Sequence, residues 1–173
     1  MEGACVTDLT PTPALRPADG DIATDGIRFV VLPQRPITSI APFDPVTAMA
    51  LGFPAPGEVR GALVWAGRGM AFAFDSPAPE ALGAQSALTD QSDGWVGFHL
   101  SGPEAVPVLA RLVPIDCAAL EGSARSLLGH HPLLIWRSGP EEFTLYTYRS
   151  MAESAAHEVE TAINALKTRR ALG

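Results

Sequence analysis

The chain has 173 residues, 47% hydrophobic and 18% charged, with a formal net charge of −7. That length supports one compact domain with a sizeable core and leaves no room for two generous ones. The negative balance, with no stripe of lysine and arginine, argues against nucleic acid as partner, and 16 prolines with 16 glycines argue against long helical bundles.

Met1-Glu2-Gly3-Ala4-Cys5 lacks the basic start and apolar run of a secretory signal. No stretch approaches the roughly 18 apolar residues of a membrane span. A cytoplasmic chain is therefore expected. Cys5 and Cys117 lie far apart with no second pair nearby, the pattern of reduced thiols and not of a disulfide framework or thiolate zinc site. Residues 1–25 mix Thr, Pro, Ala, Asp and Gly without periodicity and read as an irregular arm.

Residues 27–32 are β-branched and aromatic and end at Pro33 and Pro36, as a strand near a sheet edge would. Asp44-Pro45 reads as N-cap and first helical position of a brief helix stopped by Gly52 and Pro54. Residues 62–67 and 70–74 bracket Arg68-Gly69 as a hairpin, and residues 79–85 offer one or two helical turns. Residues 95–100 form the next strand, with Val96, Phe98 and Leu100 on one side and Trp95, Gly97 and His99 on the other. Ser101-Gly102-Pro103-Glu104 has the spacing of a capping box before a helix carrying Val106, Leu109, Ala110 and Val113, with Pro107 expected to bend it. A connection of mixed character over residues 115–131 leads to the clearest unit, residues 132–167. Here Leu133-Leu134-Ile135-Trp136 and residues 143–148 make a hairpin around Ser138-Gly139-Pro140. Ser150-Met151-Ala152-Glu153 then predicts a capped helix with a stripe of Ala152, Ala155, Ala156, Val159, Ala162, Ile163 and Leu166.

Leu63-Val64-Trp65 is echoed 71 residues later by Leu134-Ile135-Trp136, and Phe72 and Phe74 by Phe143 and Leu145. Gly52-Phe53-Pro54 has a counterpart in Leu112-Val113-Pro114. Each half then reads as strand, helix, hairpin, helix. The expectation is a single α+β domain over residues 26–173, made of two pseudo-repeats, about 26–87 and 88–170, that bury each other's sheet faces.

Sites of chemistry are sparse. Gly67-Arg68-Gly69 supplies two glycines of a dinucleotide fingerprint, lacks the third and lies in a hairpin. His130-His131 has no carboxylate or thiol at ligand spacing, and strand neighbours face opposite ways, so the pair reads as the start of a strand. Asp90, Asp93 and Asp116 are acids in principle, yet Asp90-Gln91-Ser92-Asp93-Gly94 has the composition of a surface turn. His99 stands alone on its strand. Trp65 and Trp136 either stack on a planar ligand such as a pterin or serve packing. Arg149 either grips a carboxylate beside a helix N-terminus or makes a surface ion pair. No nucleophile, base and orienter combine, so no catalytic, cofactor-binding or metal-binding residue is assigned.

Four segments carry a resemblance: residues 88–95, residues 100–105, Ile115-Asp116 and Arg149-Ser150-Met151-Ala152. In that order and spacing they resemble the gamma subunit of heterotetrameric sarcosine oxidase. Leu51-Gly52-Phe53-Pro54-Ala55-Pro56 and Ala62-Leu63-Val64-Trp65-Ala66-Gly67 look like weaker counterparts in the first half. The resemblance implies a fold like the folate-binding domain of aminomethyltransferases, with two interlocked strand-helix-hairpin-helix halves. It further implies a non-catalytic chain seated on a large alpha-type subunit, with flavin and tetrahydrofolate on partner subunits that demethylate sarcosine. A freestanding folate or small-molecule binder with a cleft near Trp136 and Arg149, and a chain that only self-associates, are the competing expectations.

Overall fold

A computed structural model of the chain describes residues 14–15, 21–24 and 26–172. In chain order the strands and helices are β1 (Ile22–Thr24), β2 (Ile27–Val31), β3 (Ile37–Pro42), α1 (Pro45–Ala50), β4 (Val59–Arg60), β5 (Leu63–Gly67), β6 (Met70–Phe74), α2 (Glu80–Gly83) and β7 (Ser86–Asp90). The second half continues with β8 (Trp95–Ser101), α3 (Ala105–Leu112), β9 (Ser123–Leu128), β10 (His131–Gly139), β11 (Glu142–Tyr148) and α4 (Ala152–Ala171). The strands build two antiparallel sheets, six strands ordered β1-β2-β8-β11-β10-β9 and five ordered β4-β5-β6-β3-β7. The expected α+β class is the observed one.

With β1 set aside, the two strand orders correspond. One sheet runs β2-β8-β11-β10-β9 and the other β7-β3-β6-β5-β4. The leading strand of each half is exchanged: β2 pairs with β8, and β7 pairs with β3. The two halves are thereby interlocked through their backbones.

Side-chain alternation along the strands divides the core into three layers. Between the sheets lie Ile37, Val64, Ala66, Phe72, Phe74, Trp95, Leu134, Trp136 and Tyr146. Trp136 and Tyr146 stack with centroids 5.5 Å apart, and Phe74 is 4.9 Å from Tyr146. The outer face of the six-stranded sheet packs Phe29, Phe98, Leu100, Phe143 and Leu145 against Val108 and Leu109 of α3 and Ala155, Val159 and Ile163 of α4. The outer face of the five-stranded sheet packs Ile40, Leu63, Ala71 and Ala73 against Ala48 of α1 and Leu82 of α2. Helix α1 starts as its sequence predicts: Asp44 accepts from the amides of Val46 and Thr47, with Pro45 at the first position.

Several expectations are corrected. The segment read as an irregular arm contains β1, which pairs with β2; the rest of it lies largely outside the described residues. Neither capping box forms. Ser150 sits inside a 3-10 turn, Arg149–Met151, and Met151 occupies the N-cap position of α4 without a side-chain bond. The last turn before the helix is closed by main-chain bonding instead. Ser101 is still in β8, and α3 follows Glu104, whose amide donates to the Gly26 carbonyl at 3.0 Å and whose carboxylate meets Arg170. Within α3 the buried residues are Ala105, Val108 and Leu109, while Ala110 is exposed. Pro107 falls in the first turn, where its missing amide needs no helical partner.

The 71-residue offset is also wrong by one. Trp65 opposes Ala71, with a bulge before Gly67 opposite Met70; Arg137 opposes Phe143, with a bulge before Gly139 opposite Glu142. Matching the bulges and turns equates Trp65 with Arg137 and Val64 with Trp136. A one-residue slip changes the face, so Trp136 points between the sheets while Trp65 points away from them.

Candidate functional site

The residues singled out in the sequence are not gathered at one place. Asp90 accepts from the Ser92 amide at 2.9 Å and from its hydroxyl at 2.6 Å, and these bonds, the hydroxyl first, hold its carboxyl below the usual range. Asp116 accepts from the Ala118 amide at 2.9 Å. Both behave as turn residues. Arg149 lies 4.0 Å from Asp93, and His99 Nε2 is 3.9 Å from Glu142. Trp136 is 9% exposed and fills the inter-sheet core, so it offers no stacking platform at a surface cleft. Cys117 is buried, and burial pushes its thiol up, the opposite of an activated nucleophile; Cys5 lies outside the described residues. Gly67-Arg68-Gly69 leads into strand β6 and not into a helix, so it has no helix N-terminus on which a dinucleotide pyrophosphate rests.

One contact was missed in the sequence. His131 Nδ1 donates to the Leu128 carbonyl at 3.0 Å, and its Nε2 lies 2.8 Å from the Ser154 hydroxyl. Glu158 Oε2 stands 3.7 Å from Nδ1, beyond hydrogen-bond distance. The imidazole is thus oriented by main chain. Ser154 also reaches the Met151 carbonyl at 3.1 Å, so the arrangement ties the β9–β10 turn to the first turn of α4.

The concave surface with the most suitable chemistry lies where the β5–β6 hairpin meets β9. Trp65, Gly67, Arg68 and Met70 form one wall, and Arg125, Leu127, Pro132 and Tyr148 the other, around about 680 Å³. Its geometry is set from the strands upward. The Ser123 hydroxyl donates to the Trp65 carbonyl at 3.0 Å and locks β9 against β5. The turn residues Arg68 and Gly69 have φ of 52° and 71°, the pair of left-handed conformations that closes a two-residue hairpin. Gly67 is needed for close approach: a Cβ there would lie 2.8 Å from Arg125 Cγ. The Arg125 guanidinium sits 5.1 Å over the Trp95 ring, and Tyr148 packs 4.7 Å from the same ring. Neither Arg68 nor Arg125 is paired with a carboxylate among the described residues. Nothing in the sequence joins these residues, because Arg125 belongs to the connection that had no periodic pattern.

A second surface is apolar. Phe43, just before α1, is 71% exposed, and Val46 and Met49 within it are 78% and 60% exposed, while Ala48 is buried. Asp44 lies among them and Leu88 of the edge strand β7 is also exposed.

No family model and none of the curated proteins matches the chain. Among solved structures, the fold is similar to that of a chain of the heterotetrameric sarcosine oxidase from Corynebacterium sp. U-96 in complex with pyrrole 2-carboxylate. The TM-score is 0.69 and the identity 22%, over 84% of this chain and 88% of that one. The α+β fold expected from the sequence is therefore one that this chain shares with a sarcosine oxidase chain.

Proposed function

We propose that this chain is a non-catalytic, gamma-like subunit of a sarcosine oxidase-type complex. In that reading it is a cytoplasmic protein seated on a large alpha-type subunit, and other chains hold the flavin and tetrahydrofolate that serve oxidative demethylation and one-carbon transfer. The observation that carries the reading is reciprocal coverage: nearly the whole chain superimposes on nearly the whole of one chain from a heterotetrameric oxidase. One further feature supports it: Phe43, just before α1, and Val46 and Met49 within it stand exposed to solvent. Exposed apolar side chains grouped on one short segment suit a surface for another protein. Among the described residues no helix is long and apolar enough to cross a membrane.

The test is co-expression of the tagged chain with its chromosomal neighbours, followed by affinity purification and size-exclusion chromatography with flavin absorbance. Co-elution with a flavoprotein is expected, and Val46→Asp is expected to abolish it without unfolding the chain. Elution free of any flavoprotein overturns the subunit reading, and light scattering on that fraction distinguishes a monomer from self-association.

A further inference from the structure

We infer that the outer edge of β7, Ser86–Asp90, is a self-association surface: it pairs antiparallel with β7 of a second copy of this chain, centred on Leu88, and joins two five-stranded sheets edge to edge. The inference rests on strand geometry and does not depend on the subunit reading.

The register of the β3–β7 ladder decides which main-chain groups are on offer. At its two ends the Phe43 amide donates to the Gln85 carbonyl at 3.0 Å and the Gln91 amide to the Ile37 carbonyl at 2.8 Å. Bonding alternates along an antiparallel pair, so Ala87 and Thr89 turn their N–H and C=O to β3, while Ser86, Leu88 and Asp90 turn theirs outward. Those outward groups have no main-chain partner among the described residues. The other edge strands are protected. β1 has three residues and β4 two. On β9 the outward Ser123 amide donates to the Gly57 carbonyl at 2.7 Å, and Arg125 puts a cation on the remaining stretch. β7 carries no proline, no cation and no bulge in its pairing, the devices that ordinarily keep an edge unpaired.

The strand's own sequence selects a second copy. Antiparallel pairing centred on Leu88 sets Leu88 opposite Leu88, Ala87 opposite Thr89 and Ser86 opposite Asp90, so no like charges face each other. The one charge, Asp90, is folded back onto the Ser92 amide and hydroxyl, and the Ser86 hydroxyl donates to the Leu82 carbonyl. Leu88, 47% exposed, then meets its counterpart on the sheet face it shares with Ile40. A net charge of −7 makes two copies repel at long range. Added salt therefore strengthens this pairing, whereas it weakens capture of a cationic strand.

Sedimentation velocity and cysteine cross-linking on the isolated full-length chain test the pairing with no other protein present, so the outcome is separate from that of the subunit reading. A small contact of this kind calls for about 0.1 mM protein. There, a monomer–dimer equilibrium that shifts toward dimer between about 50 mM and about 0.5 M NaCl is expected. Leu88→Lys, which sets two ammonium groups opposite each other, is expected to sediment as a monomer throughout. Leu88→Pro deletes an outward N–H that β3 does not use, and the same loss of dimer is expected. In the paired edges the two copies of residue 88 form a hydrogen-bonded pair with Cα atoms about 5.5 Å apart, a separation that a disulfide spans. Leu88→Cys is therefore expected to cross-link under mild oxidation. Ala87→Cys, offset by two residues and roughly 8 Å from its counterpart, is not. Peptide mass mapping assigns the cross-link to residue 88 of both chains, apart from Cys5 and Cys117. A monomer at every salt concentration, a dimer that survives both Leu88→Lys and Leu88→Pro, a dimer that dissociates as salt is added, or equal cross-linking at residues 87 and 88 overturns the assignment.

Discussion

Replacing Tyr146 by Phe is expected to make the protein more stable. The side chain is 2% exposed, and its hydroxyl makes no hydrogen bond of normal geometry, although the Arg35 guanidinium is near enough to act on its proton. The ring carries the packing, stacked on Trp136 and tilted against Phe74, and phenylalanine keeps that ring. What the substitution removes is a desolvated donor, whose burial unmatched costs about 1–3 kcal/mol. A gain of about 1 kcal/mol in unfolding free energy is the conservative expectation, equivalent to about 2–4 °C in a chain of this size. The same burial gives a second signature. It pushes the phenol from 10.0 up to about 12, with Arg35 pulling the other way. Folded Tyr146 therefore holds its proton at pH values where the unfolded chain has lost it. Stability is therefore untouched by this titration below pH 10, falls as pH rises, and is lower by about 2–3 kcal/mol at about 12. Urea unfolding of the wild type and Tyr146→Phe at neutral pH and through the alkaline range measures both effects, and the difference between the two curves isolates this one group. If the variant is less stable at neutral pH by more than about 1 kcal/mol, the hydroxyl is bonded and the reasoning fails. An alkaline limb of equal slope in both proteins refutes it as well.

Three other outcomes follow from named contacts. Gly97→Ala places a Cβ 2.6 Å from Tyr146 Cζ; a cost of about 1–3 kcal/mol is expected from overpacking, and an unchanged melting temperature contradicts it. Arg137→Ala removes bonds to the carbonyls of Leu120 at 2.6 Å and Cys117 at 2.8 Å; a loss of about 2 kcal/mol with faster limited proteolysis within residues 115–122 is expected. Asp44→Ala removes the cap of α1, and amide exchange at Val46 and Thr47 should accelerate while the sheets stay protected. Hydrogen bonding, that of the Thr47 side chain first, lowers the Asp44 pKa. The cap's contribution is therefore fully present above the unfolded carboxylate value, near 3.9, and is lost as pH falls through the lower folded value. Exchange rates that ignore pH in that range would contradict the assignment.

Elements whose hydrophobic period matched their burial were legible. The hairpins of β5 with β6 and β10 with β11, the strand β8 with its two faces, and the stripe of α4 all carried their environment in the order of their residues. Strand β3 did not, because it is enclosed on both sides and its Ser39 is buried with its hydroxyl 3.3 Å from the Thr89 carbonyl, so no alternation marks it. Strand β7 failed for the opposite reason: Ala87, Leu88, Thr89 and Asp90 are all exposed at an edge. The capping boxes had the right spacing, but the chain enters each helix through a turn that moves the serine off the cap. The groove was invisible because register was misread by one residue, which exchanged the faces of Trp65 and Trp136, and because Arg125 comes from the least patterned part of the sequence. Register is the step that local composition does not encode.

The traded positions of β2 and β7 bear on how this protein is made. On the ribosome, Ile27–Val31 finds β1 at once but has nothing for its other edge until Trp95–Ser101 has left the exit tunnel. Neither half completes its sheet alone, so the nascent chain holds an open β-edge through most of its synthesis, the state most prone to sticking to its neighbours. Early delivery of the second half, and not the strength of any single contact, then decides the yield of native protein.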